Sequence, residues 1–326
     1  MNLIEVTKRY ATKEACLEYL EQMRWPNGVC CLKCGITGQD DKGREVISKF
    51  TTNETTRERF SKKKQKMVTV KVPARSLYQC KECGYQFSAT TGTIFHDSHL
   101  PLEKWFMAVA LIMNAKKGIS ALQVGRDLGI DQADYKTVWY LCHRIREAMC
   151  EGGLLTGVVE TDATFLTPKK PRKGNPKRKK QDTDVVLGMR ERGGRLRLIP
   201  VADEKMASVE PVIREHISGD ALLQTDKFMS YEIIGRRLFP GRHRMIDHIR
   251  TYAEGENHTN TIENAFSLLK RGVYGTFHKV SIKHLGRYCN EFSYRFNRRD
   301  SQKQIFHETM KGLLRGNPLP YRKLTA

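Results

Sequence analysis

Residues 258–271, HTNTIENAFSLLKR, place an acid and a base where together they could bind a metal ion and a phosphate. Glu263 and Lys270 are seven residues apart, so in a helix they lie two turns apart on one side. The helix dipole favours a carboxylate in the first turn, and Thr259 or Asn260 can cap the start. An ordinary amphipathic surface helix is the alternative. The apolar face that predicts the helix comprises Ile262, Ala265, Phe266, Leu269 and Val273.

Two C-x-x-C-G motifs can supply the four soft ligands that zinc binds in a tetrahedron, because a tight turn after each pair lets its two sulfurs converge. Their cysteines are Cys31, Cys34, Cys80 and Cys83. We expect a zinc ribbon, with the polar residues 40–75 as an insertion in its hairpin. Cys30 could compete with Cys31, although Cys31 has the matching spacing. Two unrelated motifs or a redox pair are the alternatives.

Residues 158–166, VVETDATFL, predict a strand because they are rich in β-branched side chains. Alternation places Glu160 and Asp162 on the same face of this strand. An acid in a buried strand is unusual and indicates a site, whereas an edge strand would leave both acids in water. A third acid, Asp226, directly follows the short apolar strand that we predict at residues 221–225.

The second half of the chain predicts the order β-β-β-α-β-α-β-α-α. Its acids fall on the first strand, just after the fourth strand and on a late helix. Upstream, helices predicted at residues 102–116, 120–128 and 132–149 follow a helix-turn-helix pattern, with a plain helical bundle as an equal alternative. In a helix-turn-helix, four side chains would face outward, where they could reach a major groove: Lys136, Thr137, Tyr140 and Arg144.

The formal net charge of +21 favours a polyanionic partner, and nucleic acid is the first expectation. We see no amphipathic anchor or lipidation site, no apolar run long enough for a transmembrane span and no secretory signal. We therefore expect a cytoplasmic, nucleoid-associated protein without a membrane partner. In that compartment, nine cysteines favour thiols and metal ligation over disulfides.

Residues 168–180, PKKPRKGNPKRKK, form a basic, proline-interrupted segment that cannot bury apolar surface. Next to a nuclease-type centre it would bind phosphates, and a merely solubilising loop is the alternative. The candidate phosphate contacts in it are Lys169, Lys170, Arg172, Lys173, Lys177, Arg178, Lys179 and Lys180.

The order of elements and acids resembles the RNase H-like catalytic core of DDE transposases and integrases. From about residue 15 to 300, the chain resembles bacterial insertion-sequence transposases that carry an N-terminal zinc ribbon. The segments that carry the resemblance are the two cysteine motifs, FSATTGT, VETDATF, QTDKFMSY and HTNTIENAFSLLKRGVYGTFHKVSIKHLGRY.

The fold class that this resemblance implies is α/β. It comprises an RNase H-like domain with a mixed five-stranded sheet and helices, preceded by a zinc ribbon and a helix-turn-helix-like helical domain. The expected divisions are an N-terminal helical segment, the ribbon with its basic insertion, the helical domain, the catalytic domain and a C-terminal tail. Their bounds are residues 1–28, 29–95, 100–150, 155–300 and 301–326.

Carried over by position, the resemblance makes Asp162, Asp226 and Glu263 an acidic triad that binds Mg²⁺ or Mn²⁺, while Zn²⁺ occupies the ribbon. Lys270 would contact a phosphate at the DNA end. The implied reaction is hydrolysis of a strand at the transposon end, followed by attack of the freed 3′-hydroxyl on target DNA. Family members often have a second acid right after the first aspartate, where this chain has Ala163. A supporting role for that side chain is therefore in doubt here.

Asn260 and Arg271, at the two ends of the triad helix, are further candidate DNA contacts; for Asn260, hydrogen bonding at the helix start is the alternative. The implied partner is double-stranded DNA, both terminal repeats and target, bound by at least a dimer. Three rival interpretations remain: a DNA-binding regulator with an inactive RNase H-like domain, a nuclease that hydrolyses without joining, and a basic scaffold protein. The presence of all three acids argues against the inactive regulator.

Overall fold

A computed structural model of the chain describes residues 1–39, 43–61, 65–166, 185–246 and 258–326. These residues form two compact units. Unit 1 comprises Met1–Val6 and Met107–Met310, and unit 2 comprises Thr7–Phe106 and Lys311–Ala326. In this described part of the chain, no helix combines the length and the apolar character that crossing a bilayer requires. The division into five segments stays a prediction.

Unit 2 contains a small antiparallel sheet and a separate hairpin. The sheet has the order β1-β4-β5, with β1 (Ile47–Thr51), β4 (Ser76–Cys80) and β5 (Gln86–Phe87). The segment between the two cysteine motifs supplies β1 and also the hairpin of β2 (Thr55–Ser61) and β3 (Lys66–Val72). Helices α1 (Leu3–Arg9) and α2 (Lys13–Arg24) precede the sheet, and α11 (Tyr321–Thr325) lies near the C-terminus.

Unit 1 is built on a mixed five-stranded sheet with the order β10-β9-β6-β7-β8. Its strands are β6 (Val158–Phe165), β7 (Val185–Glu191), β8 (Leu196–Val201), β9 (Leu222–Asp226) and β10 (His243–Ile246). β9 runs parallel to β6 and β10, whereas β7 is antiparallel to β6 and β8. The helices after β8 are α6 (Met206–His216), α7 (Met229–Leu238), α8 (Asn260–Gly272), α9 (Ile282–Asn297) and α10 (Gln302–Arg315). The predicted order of strands and helices is confirmed.

Alternation along β6 divides its side chains between two apolar layers. Val159 and Ala163 pack in the cluster that contains α6 and α7, whereas α8 and α9 cover the other face of the sheet. Gly188 on β7 allows α8 to approach that face closely. A Cβ atom at this position would lie 2.6 Å from the ring of Phe266. Any larger residue at position 188 would push α8 away from the sheet.

Three helices form where the helix-turn-helix pattern was predicted: α3 (Leu102–Asn114), α4 (Ala121–Asp127) and α5 (Tyr135–Glu147). Lys136 and Thr137 are exposed and Tyr140 is half-buried. The expectation that Arg144 faces outward is wrong, because this residue is only 4% exposed. α5 packs against both α4 and α9, so more than one of its faces is covered. The helix-turn-helix assignment itself stays a prediction.

Candidate active site and zinc site

Asp162 and Asp226 lie on neighbouring parallel strands. The pairing of β6 with β9 ends at Glu160 opposite Gln224, two residues before Asp162 and Asp226. Adjacent strands are about 4.8 Å apart, and residues level in a parallel pair point to the same face. Alternation therefore puts both carboxylates on the face of Glu160 and Gln224, and the charge of Asp226 acts on Asp162.

Glu263 is in the first turn of α8, the helix that covers this face. Burial, followed by repulsion from Asp226 and Glu263, raises the pKa of Asp162 to about 7. Asp162 thus lies within electrostatic reach of both Asp226 and Glu263. The three acids do not form a closed cage: in the described ranges, the four cysteines are the only cluster of three or more acid, histidine or cysteine side chains whose ligand atoms all lie within 4.8 Å of one another.

The start of α8 is held by Glu160, a fully buried carboxylate on β6. It accepts hydrogen bonds from the backbone N–H groups of Thr261 and Ile262, at 3.0 and 3.2 Å, and from the Thr261 hydroxyl at 2.7 Å. The expectation that Thr259 or Asn260 caps the helix through its side chain is wrong. The Thr259 hydroxyl instead donates to Glu263 at 3.2 Å. Thr259 occupies the N-cap position, but an acid from the sheet accepts the N–H groups of the first turn, so no local side chain is needed for this role.

Arg192 connects this cap to the neighbouring strand. Its Nη2 donates to Glu160 at 2.9 Å and to the Gln224 side chain at 2.7 Å, and it lies 3.3 Å from the His258 carbonyl. The network therefore joins β6, β9 and the entry to α8, the three elements that carry Asp162, Asp226 and Glu263. Sequence reasoning placed Glu160 and Asp162 on one face but missed this role.

One further side chain of the site, Tyr231, was missed from the sequence. Tyr231 on α7 is buried, and its hydroxyl makes no hydrogen bond within the described part of the chain. Burial, followed by the charges of Asp162, Asp226 and Glu204, raises the Tyr231 pKa well above its ordinary value. Tyr231 therefore stays a phenol that can donate a hydrogen bond near these acids. The sequence feature that could have identified Tyr231 is its position at the end of the segment QTDKFMSY.

Replacing Asp162 with asparagine is expected to stabilise the protein at high pH when no Mg²⁺ is added. Below about pH 4 the carboxyl is protonated in both the folded and the unfolded chain. Between about pH 4 and its folded pKa of about 7, only the folded state retains the proton, so the free energy of unfolding falls as the pH rises. At pH 8 the variant should melt at least about 2–4 °C above wild type, the shift that 1 kcal/mol produces in a unit of this size.

Thermal unfolding of both proteins at pH 4 and pH 8, without added divalent cation, measures this difference. The difference in melting temperature between variant and wild type should disappear at pH 4. At pH 8 it should become smaller when Mg²⁺ is added, because a bound cation offsets the repulsion. An equal gap at both pH values would show that the Asp162 charge does not destabilise the fold.

The other predicted contacts are spread along α8 and beyond. Lys270 is half-buried in the last turn, on the side of Glu263. Asn260 begins the helix, and its Oδ1 is buried without a hydrogen bond among the described residues. Arg271 is exposed and donates to the carbonyl and hydroxyl of Ser267, at 3.3 and 3.0 Å. The eight basic candidates at residues 169–180 lie outside the described residues.

In unit 2, the four predicted cysteines come together at one point. The Cys31 and Cys83 sulfurs are 3.6 Å apart, and those of Cys34 and Cys80 are 3.7 Å apart. Four sulfurs at 2.3 Å from one tetrahedral zinc ion would be about 3.8 Å apart, so the set fits zinc. The thiol of Cys30 instead lies 3.1 Å from the Gly35 carbonyl and is not in the cluster. The preference for Cys31 over Cys30 thus agrees with the geometry.

A tight turn follows each cysteine pair, as the sequence predicted. The N–H groups of Gly35 and Gly84 donate to the carbonyls of Cys31 and Cys80, at 3.0 and 2.9 Å. Both glycines have positive φ, +77° and +69°, which L residues with a side chain rarely adopt. The turns direct the paired sulfurs toward one centre.

Comparisons with known proteins agree with this architecture. Residues 154–297 match the family model of the ISXO2-like transposase domain, and residues 11–40 match that of the transposase zinc-ribbon domain. No solved structure gives a significant match. The two matched regions contain the five-stranded sheet with its three acids and the first of the two cysteine motifs.

Two curated relatives are named after a transposase or a transposable element. The chain is 30% identical over 119 residues to an uncharacterized transposase-like protein of Haemophilus influenzae, covering 36% of this chain and 93% of that protein. It is 25% identical over 279 residues to an uncharacterized protein in transposable element ISH50 of Halobacterium salinarum, covering 81% of this chain and 84% of that protein. The chain belongs to the transposase family of these relatives, with an ISXO2-like transposase domain and a transposase zinc-ribbon domain.

Proposed function

We propose that this transposase cuts DNA at the ends of its element and joins them to target DNA, using Asp162, Asp226 and Glu263 with Mg²⁺ or Mn²⁺. The observation that carries the proposal is that Asp162 lies near enough to both Asp226 and Glu263 for their charges to raise its pKa, on strand β6, which pairs with the strand of Asp226. Hard carboxylate oxygens are the ligands that Mg²⁺ prefers. Acids that repel one another at a half-buried position fit a divalent cation, which removes the repulsion.

The bound cations would activate water or a 3′-hydroxyl and neutralise the charge that develops on the leaving oxygen. The side chains of the protein would position the reacting groups. Asp162 interacts electrostatically with both other acids, so it is the natural shared ligand. Lys270, two turns from Glu263, would hold a terminal phosphate as a point charge. Tyr231 would donate a hydrogen bond at the edge of the acids.

Glu160 and Arg192 would act as positioning residues for the triad. Because Glu160 holds the start of α8, it fixes where Glu263 lies relative to the sheet. Glu160→Gln is expected to destabilise unit 1 by about 1–3 kcal/mol, since a buried charged network loses its charge. It should also slow cleavage by about 100-fold, the effect of a misplacement of about 1 Å.

The control for Glu160→Gln is Ile213→Val, which removes a buried methyl group in the apolar layer on the other face and costs about 0.5–1.5 kcal/mol. Single-turnover cleavage, measured well below the melting temperatures of both variants, separates an effect on the position of Glu263 from an effect on the stability of unit 1. If both variants cleave at the wild-type rate, Glu160 merely stabilises the fold.

DNA binding would use the positive charge that is spread over the chain. The net charge of +21 supports phosphate binding, and Lys136, Thr137 and the basic residues at 169–180 stay candidate contacts. The zinc ribbon would contribute to recognition of the terminal repeats. Pairing two ends requires at least two copies of the chain on the DNA, so we expect a dimer or larger assembly there.

The test uses the full-length protein with linear DNA that ends in the inverted repeats flanking its gene. We expect Mg²⁺-dependent release of a 3′-hydroxyl at the repeat boundary, seen on a denaturing gel, and joining of pre-cut ends to a supercoiled plasmid. Cleavage without joining would identify a nuclease that only hydrolyses. Binding of the repeats without either reaction would identify a regulator with an inactive catalytic domain.

A further inference from the structure

A cavity of about 750 Å³ lies in unit 1 between the end of α3, the second half of α8 and α9. Its rim carries cations, and one wall is aromatic. The lining side chains on which the inference rests are Lys116, Lys117, Arg271, Arg299, Phe292 and Phe296. The volume is in the range of pockets that enclose a small organic ligand.

The positive charge at the rim of the cavity favours an anionic ligand. Lys116, Lys117 and Arg271 are exposed and form no ion pair within the described ranges. Arg295, deeper in the cavity, is already paired with Glu291 at 3.3 Å. No carboxylate lines the cavity among the described residues. The rim cations are therefore available to an external phosphate.

The aromatic wall of the cavity favours a ligand with a flat ring. Phe292 and Phe296 are half-buried, with ring centroids 6.2 Å apart and planes inclined by 27°. The guanidinium groups of Arg299 and Arg190 lie 4.5 and 4.9 Å from the centre of the Phe296 ring, so Phe292 is the ring of this wall left for a ligand. Aromatic and guanidinium planes are the surfaces on which proteins stack unpaired nucleobases. Together with the cationic rim, this wall matches a nucleotide.

The cavity is close to the proposed triad along the same helix. Arg271 follows Glu263 by eight residues, which corresponds to about 12 Å along the helix axis. A DNA strand advances about 3.4 Å per nucleotide in B-form. A strand whose phosphate lies at the acids can therefore place a nucleotide three or four steps away at the cavity.

We propose that this cavity binds one unstacked nucleotide of the DNA strand held at the acids, with its base on the Phe292 ring and its phosphate at Lys117 and Arg271. The proposal rests on the proposed function, because it requires a DNA strand at the triad. An enzyme that takes a base out of the stack places it in such a pocket, where stacking offsets the cost of unstacking.

The test compares two single-stranded probes of equal charge, binding to the full-length protein without added Mg²⁺. One is a ten-nucleotide oligothymidylate, and the other is a ten-nucleotide strand of abasic sites. Wild type should prefer the thymidylate strand by about 5- to 150-fold, the range for stacking of one base. Phe292→Ala should remove this preference. Phe292→Leu, which keeps apolar volume but not the ring, should do the same and guards against misfolding of the alanine variant.

A second measurement tests the phosphate contacts. Lys117→Ala and Arg271→Ala should each lower the slope of log affinity against log salt for the thymidylate strand by about 0.7. Arg236→Ala is the matched control: it removes one exposed cation of unit 1 that is paired with Glu232, so the slope should not change.

Three outcomes would overturn the pocket: equal affinity of wild type for the two strands, a preference that survives in both Phe292 variants, or unchanged salt slopes in both cation variants. Thymidine monophosphate that binds as tightly as the ten-nucleotide strand would make the cavity a free-nucleotide site instead. Glu263→Gln separates this proposal from the proposed function. It should keep the strand preference while losing cleavage, so each idea can fail alone.

Discussion

Asp162→Asn, Asp226→Asn and Glu263→Gln are each expected to reduce Mg²⁺-dependent cleavage at the element's ends by about three orders of magnitude or more. Each amide keeps the shape of the side chain but is a neutral, poor ligand for a hard cation. Binding to the end DNA should be unchanged or tighter, since a negative charge near a phosphate is removed. Single-turnover cleavage and gel-shift binding on the same duplex measure the two effects separately.

The matched control is Glu232→Gln, which neutralises an acid of the same unit that is paired with Arg236 on α7. This variant should cleave at close to the wild-type rate. Wild-type cleavage by any one of the three site variants would remove that residue from the triad. Loss of DNA binding together with cleavage would indicate that the acid supports the fold, not the reaction.

Cys80→Ser is expected to lose the zinc ion and to unfold the cysteine-containing part of unit 2. Cys80 is completely buried, and in the described part of the chain the core around it comprises five buried residues, Cys31, Ile47, Tyr78, Cys80 and Phe87. So small a core does not fold alone without a metal or disulfides. Structural zinc binding contributes about 10–16 kcal/mol of apparent free energy in zinc-finger peptides. Zinc content, together with proteolysis within residues 29–95, would report the loss.

Cys30→Ser is the matched control because Cys30 is adjacent to the ligand set but outside it. It should retain one zinc ion and resist protease as wild type does. Zinc loss in Cys30→Ser, with full zinc in Cys31→Ser, would reverse the assignment of the first ligand. Retained zinc and an intact unit in Cys80→Ser would contradict a four-cysteine site.

The sequence by itself determined the features that depend on local spacing. Alternation identified β6 and put Glu160 and Asp162 on one face, and the 3.6-residue period identified α8 with Glu263 in its first turn. The two C-x-x-C-G motifs identified the four cysteines that come together in the structure, because two cysteines three residues apart followed by a glycine turn can supply half of a metal site. Each of these patterns spans only a few residues, so it can be recognised without knowledge of the fold.

Only the tertiary structure decided which partners meet across the chain. Local propensity predicted a cap for α8 from Thr259 or Asn260, but the cap is Glu160, which lies 101 residues before Thr261. The exposure of Arg144 could not be read from its helix, since its burial depends on where α4 and α9 pack. A residue's environment is set by elements that are distant in sequence, and no local pattern encodes their position.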